Sequence, residues 1–120
     1  QISRGSFGYD WGWDWAASMH RAGRLAGSGV FAGNDEIAVG VAYRAREEGL
    51  RVPDDVRIIG FDDSRSCAFI SPSLSSVRVP SRQIGGEAVT RLVRRLETPD
   101  APFERTVLRT SLVVRESSHW

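Results

Sequence analysis

A single cysteine, Cys67, rules out any disulfide within the chain and leans the redox reading towards a cytoplasmic setting. Histidine is nearly as scarce. His20 and His119 are the only two, and neither belongs to a His-Glu-x-x-His motif, nor does the chain hold a Cys-x-x-Cys. No metal or cofactor is expected, and a Ser-His-Asp arrangement could only be assembled by choosing freely among many Ser and Asp. No apolar run approaches the roughly 18 residues of a membrane helix, and no signal-peptide pattern is present. The first residue is Gln rather than Met, so the missing signal excludes little. An excess of either charge is also lacking: 16 Lys+Arg stand against 15 Asp+Glu, a net charge of +1. A surface that grips DNA by its phosphates normally shows a basic excess or stripe. Here Arg91, Arg94 and Arg95 form the only tight basic cluster, which reads as the solvated face of a helix. Neither a membrane nor DNA is an expected partner of these residues themselves.

What remains is ordinary globular composition, 41% hydrophobic and 26% charged over 120 residues, enough for one domain that buries roughly two-thirds of its unfolded surface. Residues 1–120 are read as a single domain. Within it, 1–29 are a loop and helix region of uncertain register: residues 2–15 suggest a short strand and a loop, and Ala16 to Leu25 a helix stopped by Gly27-Ser28-Gly29. Val30-Phe31-Ala32 predicts a buried strand. Asp35 to Glu48 predicts the best helix, with Asn34 as N-cap, acids in its first turn and Gly49 beyond its end. Val56 to Phe61 predicts a second buried strand, then a loop to Ser73, a strand over Leu74 to Val79, and a helix over Ser81 to Leu96 capped by Ser81. The apolar stripe of that helix is Ile84, Ala88, Leu92 and Leu96. Thr106 to Val114 predicts a last strand. Strands alternating with helices imply an α/β fold, an open, mostly parallel sheet with helices on both faces.

The chemistry concentrates where two strands end. Asn34 and Asp35 follow the first apolar run, and Asp62 and Asp63 follow Ile58-Ile59-Gly60-Phe61. In open parallel sheets, ligands bind beyond the carboxyl ends of the strands. An amide offers both donor and acceptor, and an ionised carboxylate accepts bonds about twice as strong as neutral ones. Asn34 and Asp62 are therefore candidate contacts for a small polar ligand, although capping and turn formation account for the same residue types. Trp11, Trp13 and Trp15 lie within five residues and offer faces for a sugar or a purine, or else fill core or interface. A glycosidase-like carboxylate pair of Asp35 and Asp62 is geometrically conceivable, but no nucleophile, base and orienting group assemble, and the chain is not expected to be an enzyme.

FAGNDEIAVG at 31–40, GLRVPDDV at 49–56, IIGFDD at 58–63 and SPSLSSVRVP at 71–80 closely resemble the C-terminal part of the effector-binding region of the LacI/GalR family of transcription regulators. The likeness covers most of 30–117 and continues through Ile84-Gly85, Ala88 and Leu92 to Leu112-Val113-Val114-Arg115-Glu116-Ser117. The resemblance implies a periplasmic-binding-protein-like lobe, one of two that enclose an effector, with operator DNA bound only through an N-terminal helix-turn-helix headpiece absent from this chain. By position within the matching motifs it makes Asn34, Asp62 and Phe61 effector contacts and puts the stacking aromatic at Trp13 or Trp15. Val39, Tyr43, Phe69 and Ile70 match the region through which family members form homodimers. A cytoplasmic regulator controlled by a small sugar or nucleoside follows, with a solute-binding protein of a transport system as the alternative. Two departures stand out: the stretch from Trp15 to Asn34 is several residues short, and Met19-His20 stands where a Gly follows the aromatic loop.

Overall fold

A computed structural model describes residues 2–119. Helix α1 (Tyr9–Arg21), strand β1 (Ser28–Phe31), helix α2 (Asp35–Glu47), strand β2 (Val56–Asp62), strand β3 (Ser75–Arg78), helix α3 (Ser81–Glu97) and strand β4 (Ser111–Val113) follow in that order. The sheet order is β1-β2-β3-β4. Its first three strands are parallel and β4 runs antiparallel to β3, so the open, mostly parallel α/β sheet expected from the alternation is present.

Helix α2 forms for the reasons its sequence suggests. Asn34 accepts a hydrogen bond from the Ile37 amide at 2.8 Å, Asp35 and Glu36 occupy the positive end of the dipole, and Arg44 and Arg46 the negative end. Gly49, just past the helix, has φ +77°, the left-handed closure that glycine adopts without penalty. Ile37, Ala38, Val41, Ala42 and Ala45 are buried along one face and join Ala16, Leu25, Val56, Ile58 and Leu74 in one apolar cluster. Burying a Leu, Ile or Val side chain stabilises the fold by about 2 kcal/mol.

The aromatic segment departs from expectation, because Tyr9 onwards is helix rather than strand and loop. Trp, Tyr and Gly are mediocre helix formers, and Gly8 at the N-cap supplies no side-chain bond. Contact with α2 decides the outcome. A Cβ on Gly12 would lie 2.2 Å from the Ile37 carbonyl oxygen, and a Cβ on Gly40 would lie 2.2 Å from the Tyr9 carbonyl oxygen. The two helices thus touch backbone to backbone through reciprocal glycines.

Alternation along β2 sends Val56, Ile58 and Gly60 to the buried side and leaves Arg57, Ile59 and Phe61 half-buried. Helices on both faces are the sequence expectation. Among the described residues, α1 and α2 share the cluster on one face, and no residue of α3 is buried. The α3 stripe forms as predicted but faces solvent, with Ile84 45% and Leu96 73% exposed. Pro80, not Ser81, occupies its N-cap position, without a side-chain bond. The predicted strand from Thr106 shrinks to Ser111–Val113 because β3 offers only Ser76, Val77 and Arg78 as partners. With α3 standing off the sheet, the radius of gyration is 18.0 Å, against about 14 Å for a close-packed chain of this length. No helix among the described residues is long and apolar enough to cross a membrane.

Gly12→Ala and Gly40→Ala should each lower stability in urea unfolding by about 1–3 kcal/mol through overpacking, despite the roughly 1 kcal/mol that alanine gains in helix propensity. Unchanged or raised stability in both variants would mean that α1 and α2 do not touch through their backbones.

Candidate functional site

The register of β1 on β2 pairs Ser28 with Val56 and Phe31 with Ile59; Asn34 follows the end of β1 as the cap of α2, and Asp62 is the last residue of β2. Both residues thus stand at the carboxyl ends of neighbouring parallel strands. The Asn34 amide is engaged at both ends: its oxygen caps α2, and its nitrogen donates to the Phe7 carbonyl at 3.3 Å. Asp62 ends β2 as an exposed residue with φ +104°. Phe61 lies half-buried against Phe31, ring centroids 6.5 Å apart and edge to face.

Beneath this edge runs a buried polar network that joins Asp35 and Asp63, named from the sequence as acids at the strand ends, to serines and arginines that the sequence did not single out. Asp35 is 3% exposed, and its carboxylate accepts from the Ser76 hydroxyl at 2.6 Å and the Ser64 amide at 2.7 Å. Gly60 is required for this approach, since a Cβ there would lie 2.3 Å from Asp35 Oδ1. Ser76 Oγ in turn accepts from the Asp63 amide at 3.0 Å. The Asp63 carboxylate, 4% exposed, sits 2.6 Å from Arg78 Nε and 2.7 Å from Arg115 Nη2. Burial pushes its pKa up, but the Arg115 and Arg78 guanidiniums outweigh burial and hold it below the usual carboxylate range. Burial also pushes the Cys67 thiol up to about 11, which keeps it protonated and unreactive.

The aromatics of α1 divide between two sides. Trp13 stacks on Tyr9 at 5.8 Å under the Arg44 guanidinium, 5.2 Å from the ring, and Tyr43 joins the group. Trp15 stacks on Trp11 at 6.4 Å. That second pair lines a cavity of about 460 Å³ with Met19, Val30 and Phe31, reaching Phe7 and Gly33 beside Asn34. Of the residues expected to contact a ligand only Trp15 is in that lining; Asn34, Asp62, Phe61 and Trp13 lie outside it. Phe7, 76% exposed and tied to Asn34, is the aromatic residue that sequence reasoning passed over. Helical spacing was its one available signal, because Tyr9/Trp13 and Trp11/Trp15 are i,i+4 pairs that place Phe7 ahead of the helix. Of the residues matched to a dimer region, Tyr43 and Phe69 are 39% and 80% exposed, while Val39 and Ile70 pack partly against the core. Among the described residues, no three His, Cys, Asp or Glu side chains gather as a metal site.

Residues 5–118 match the family of periplasmic binding protein-like domains. The ribose operon repressor of Escherichia coli K12 is 32% identical over 114 residues, which cover 95% of this chain and 34% of that protein. The structure of the transcriptional regulator CelR in complex with cellobiose superposes with a TM-score of 0.89 at 35% identity, over 98% of this chain and 36% of that one. A lac repressor dimer bound to operator and the anti-inducer ONPF gives 0.86 at 27%, over 95% and 39%. The chain spans about a quarter to a third of the length of the curated relatives it matches.

A carboxylate whose folded pKa is depressed contributes stability above its unfolded value, near 3.9, that disappears as pH falls through the lower folded value. Acid unfolding followed from pH 6 to pH 2 should therefore show stability falling below about pH 4, with Asp63→Asn flattening that fall. An equally steep profile in the variant would exclude Asp63 as a source of it.

Proposed function

The chain belongs to the periplasmic binding protein-like family, in its LacI/GalR group of effector-binding regions, and on that premise we propose that it forms most of the second lobe of a cytoplasmic, ligand-controlled bacterial repressor. Asn34 and Asp62 supply polar contacts to a small sugar or nucleoside, Phe61 stands beside them, and Trp13 or Trp15 supplies the stacking face. The observation that carries this reading is that β1 and β2 are parallel neighbours, so the segments that follow them, with Asn34 and Asp62, begin at the same edge of the sheet. The cellobiose in one structural neighbour and the ribose operon in one relative's name favour a sugar. Regulators among the relatives favour this reading over a transport protein.

Only one wall of the cleft lies in this chain. The apolar stripe of α3, with no cover among the described residues, belongs against the other lobe, and CelR matches 98% of the chain while being far longer. Val39, Tyr43, Phe69 and Ile70 form a homodimer contact, supported by the exposure of Phe69 and Tyr43 and by the dimeric lac repressor neighbour. Operator DNA is reached through an upstream headpiece. Effector binding shifts the balance between two arrangements of the lobes only by its difference in affinity for them.

Isothermal titration of the full-length protein with D-ribose and with cellobiose tests the assignment. Asp62→Ala and Asn34→Ala should each weaken binding of the sugar that binds by about tenfold or more, the loss of one good polar contact. Undiminished affinity in the Asp62 variant would overturn the site.

A further inference from the structure

Two consecutive residues at the exit of β2 hold left-handed backbone, with φ +104° at Asp62 and +55° at Asp63. Glycine adopts such torsions freely, whereas a residue with a Cβ keeps them only where its surroundings over-determine them. The surroundings that do so belong to Asp63. Its carboxylate bridges Arg78 at the end of β3 and Arg115 just after β4, and its amide donates to Ser76 Oγ. The following amide, Ser64, donates to buried Asp35. Arg115 is itself anchored, donating to the Leu74 carbonyl at 2.7 Å. Asp62, one residue earlier, is exposed, and its backbone closes the β2–β3 ladder opposite Arg78.

We infer that Asp63 is the positioning residue for Asp62: by gripping the two arginines it locks the left-handed pair and holds the Asp62 carboxylate at the open end of the sheet. The functional weight of this role rests on the effector reading above, but the geometry stands without a ligand. Asp63 acts by fixing where its neighbour emerges, and three adjacent strands are pinned at one point to do so.

The test compares Asp63→Asn, which keeps size and tolerance of left-handed torsions but removes the charge, with the unsubstituted protein. Backbone torsions of Asp62 from NMR couplings should leave the positive region in D63N. Asp62→Gly should raise the melting temperature by a few degrees in the parent, where it relieves strain, and by nothing in D63N, where the strain is already gone. A purely structural Asp63 would lower stability yet leave the Asp62 torsion and the effect of Asp62→Gly unchanged, and that result overturns the inference. If D63N fails to fold, Arg78→Met loosens the grip from its exposed side: a shifted Asp62 torsion supports the role and an unshifted one overturns it. Titration with D-ribose and cellobiose separates the two layers. Neither sugar binding the parent would count against those effectors, while the torsions still decide the role of Asp63.

Discussion

The carboxylate of Asp35, buried beneath the carboxyl end of the sheet, constrains more of this structure than any other group. Taking a charge out of water costs several kcal/mol unless hydrogen bonds replace the lost hydration. Here a serine hydroxyl from β3, a backbone amide from the loop after β2 and the positive end of α2 replace it. Three elements must therefore meet at one point, and Gly60 must lack a side chain for the carboxylate to reach them. Adjacent residues divide the work. Asn34 closes the helix end from outside, and Asp35 ties that end to the sheet from inside.

The second constraint is the backbone contact between α1 and α2. Gly12 and Gly40 let each helix receive a carbonyl of the other, which fixes how α1 turns its aromatics. Tyr9 and Trp13 are aligned with Tyr43 and Arg44 on one side, and Trp11 and Trp15 line the cavity beside β1 on another. The tryptophans thus do not form one platform, because residues two apart on a helix point to different sides.

Much of this was legible before any coordinates. The α2 cap, its acidic first turn, Gly49 beyond its end and the two strands ending in acids are local chemistry, readable from neighbours in sequence. The α1 boundary was not, because Gly, Trp and Asp between residues 8 and 15 read as loop by propensity, and only the close contacts of Gly12 with α2 and of Gly40 with α1 overturn that reading. The exposure of α3 was equally hidden. Its stripe predicts an amphipathic helix correctly, but periodicity says only that a face is apolar, and not what covers it.

Sequence alone determined the alternation of strands and helices, the family likeness and the polar residues at the strand ends, because these depend on short-range patterns of hydrophobicity and backbone preference. Tertiary structure alone decided that Asp35 turns inward while Asp62 stays exposed, that Asp63 pairs with arginines 15 and 52 positions onward in the chain, and that Phe7 meets Asn34. The physical reason is that a carboxylate's role is set by the charges and donors around it, and those arrive from parts of the chain that no local pattern connects.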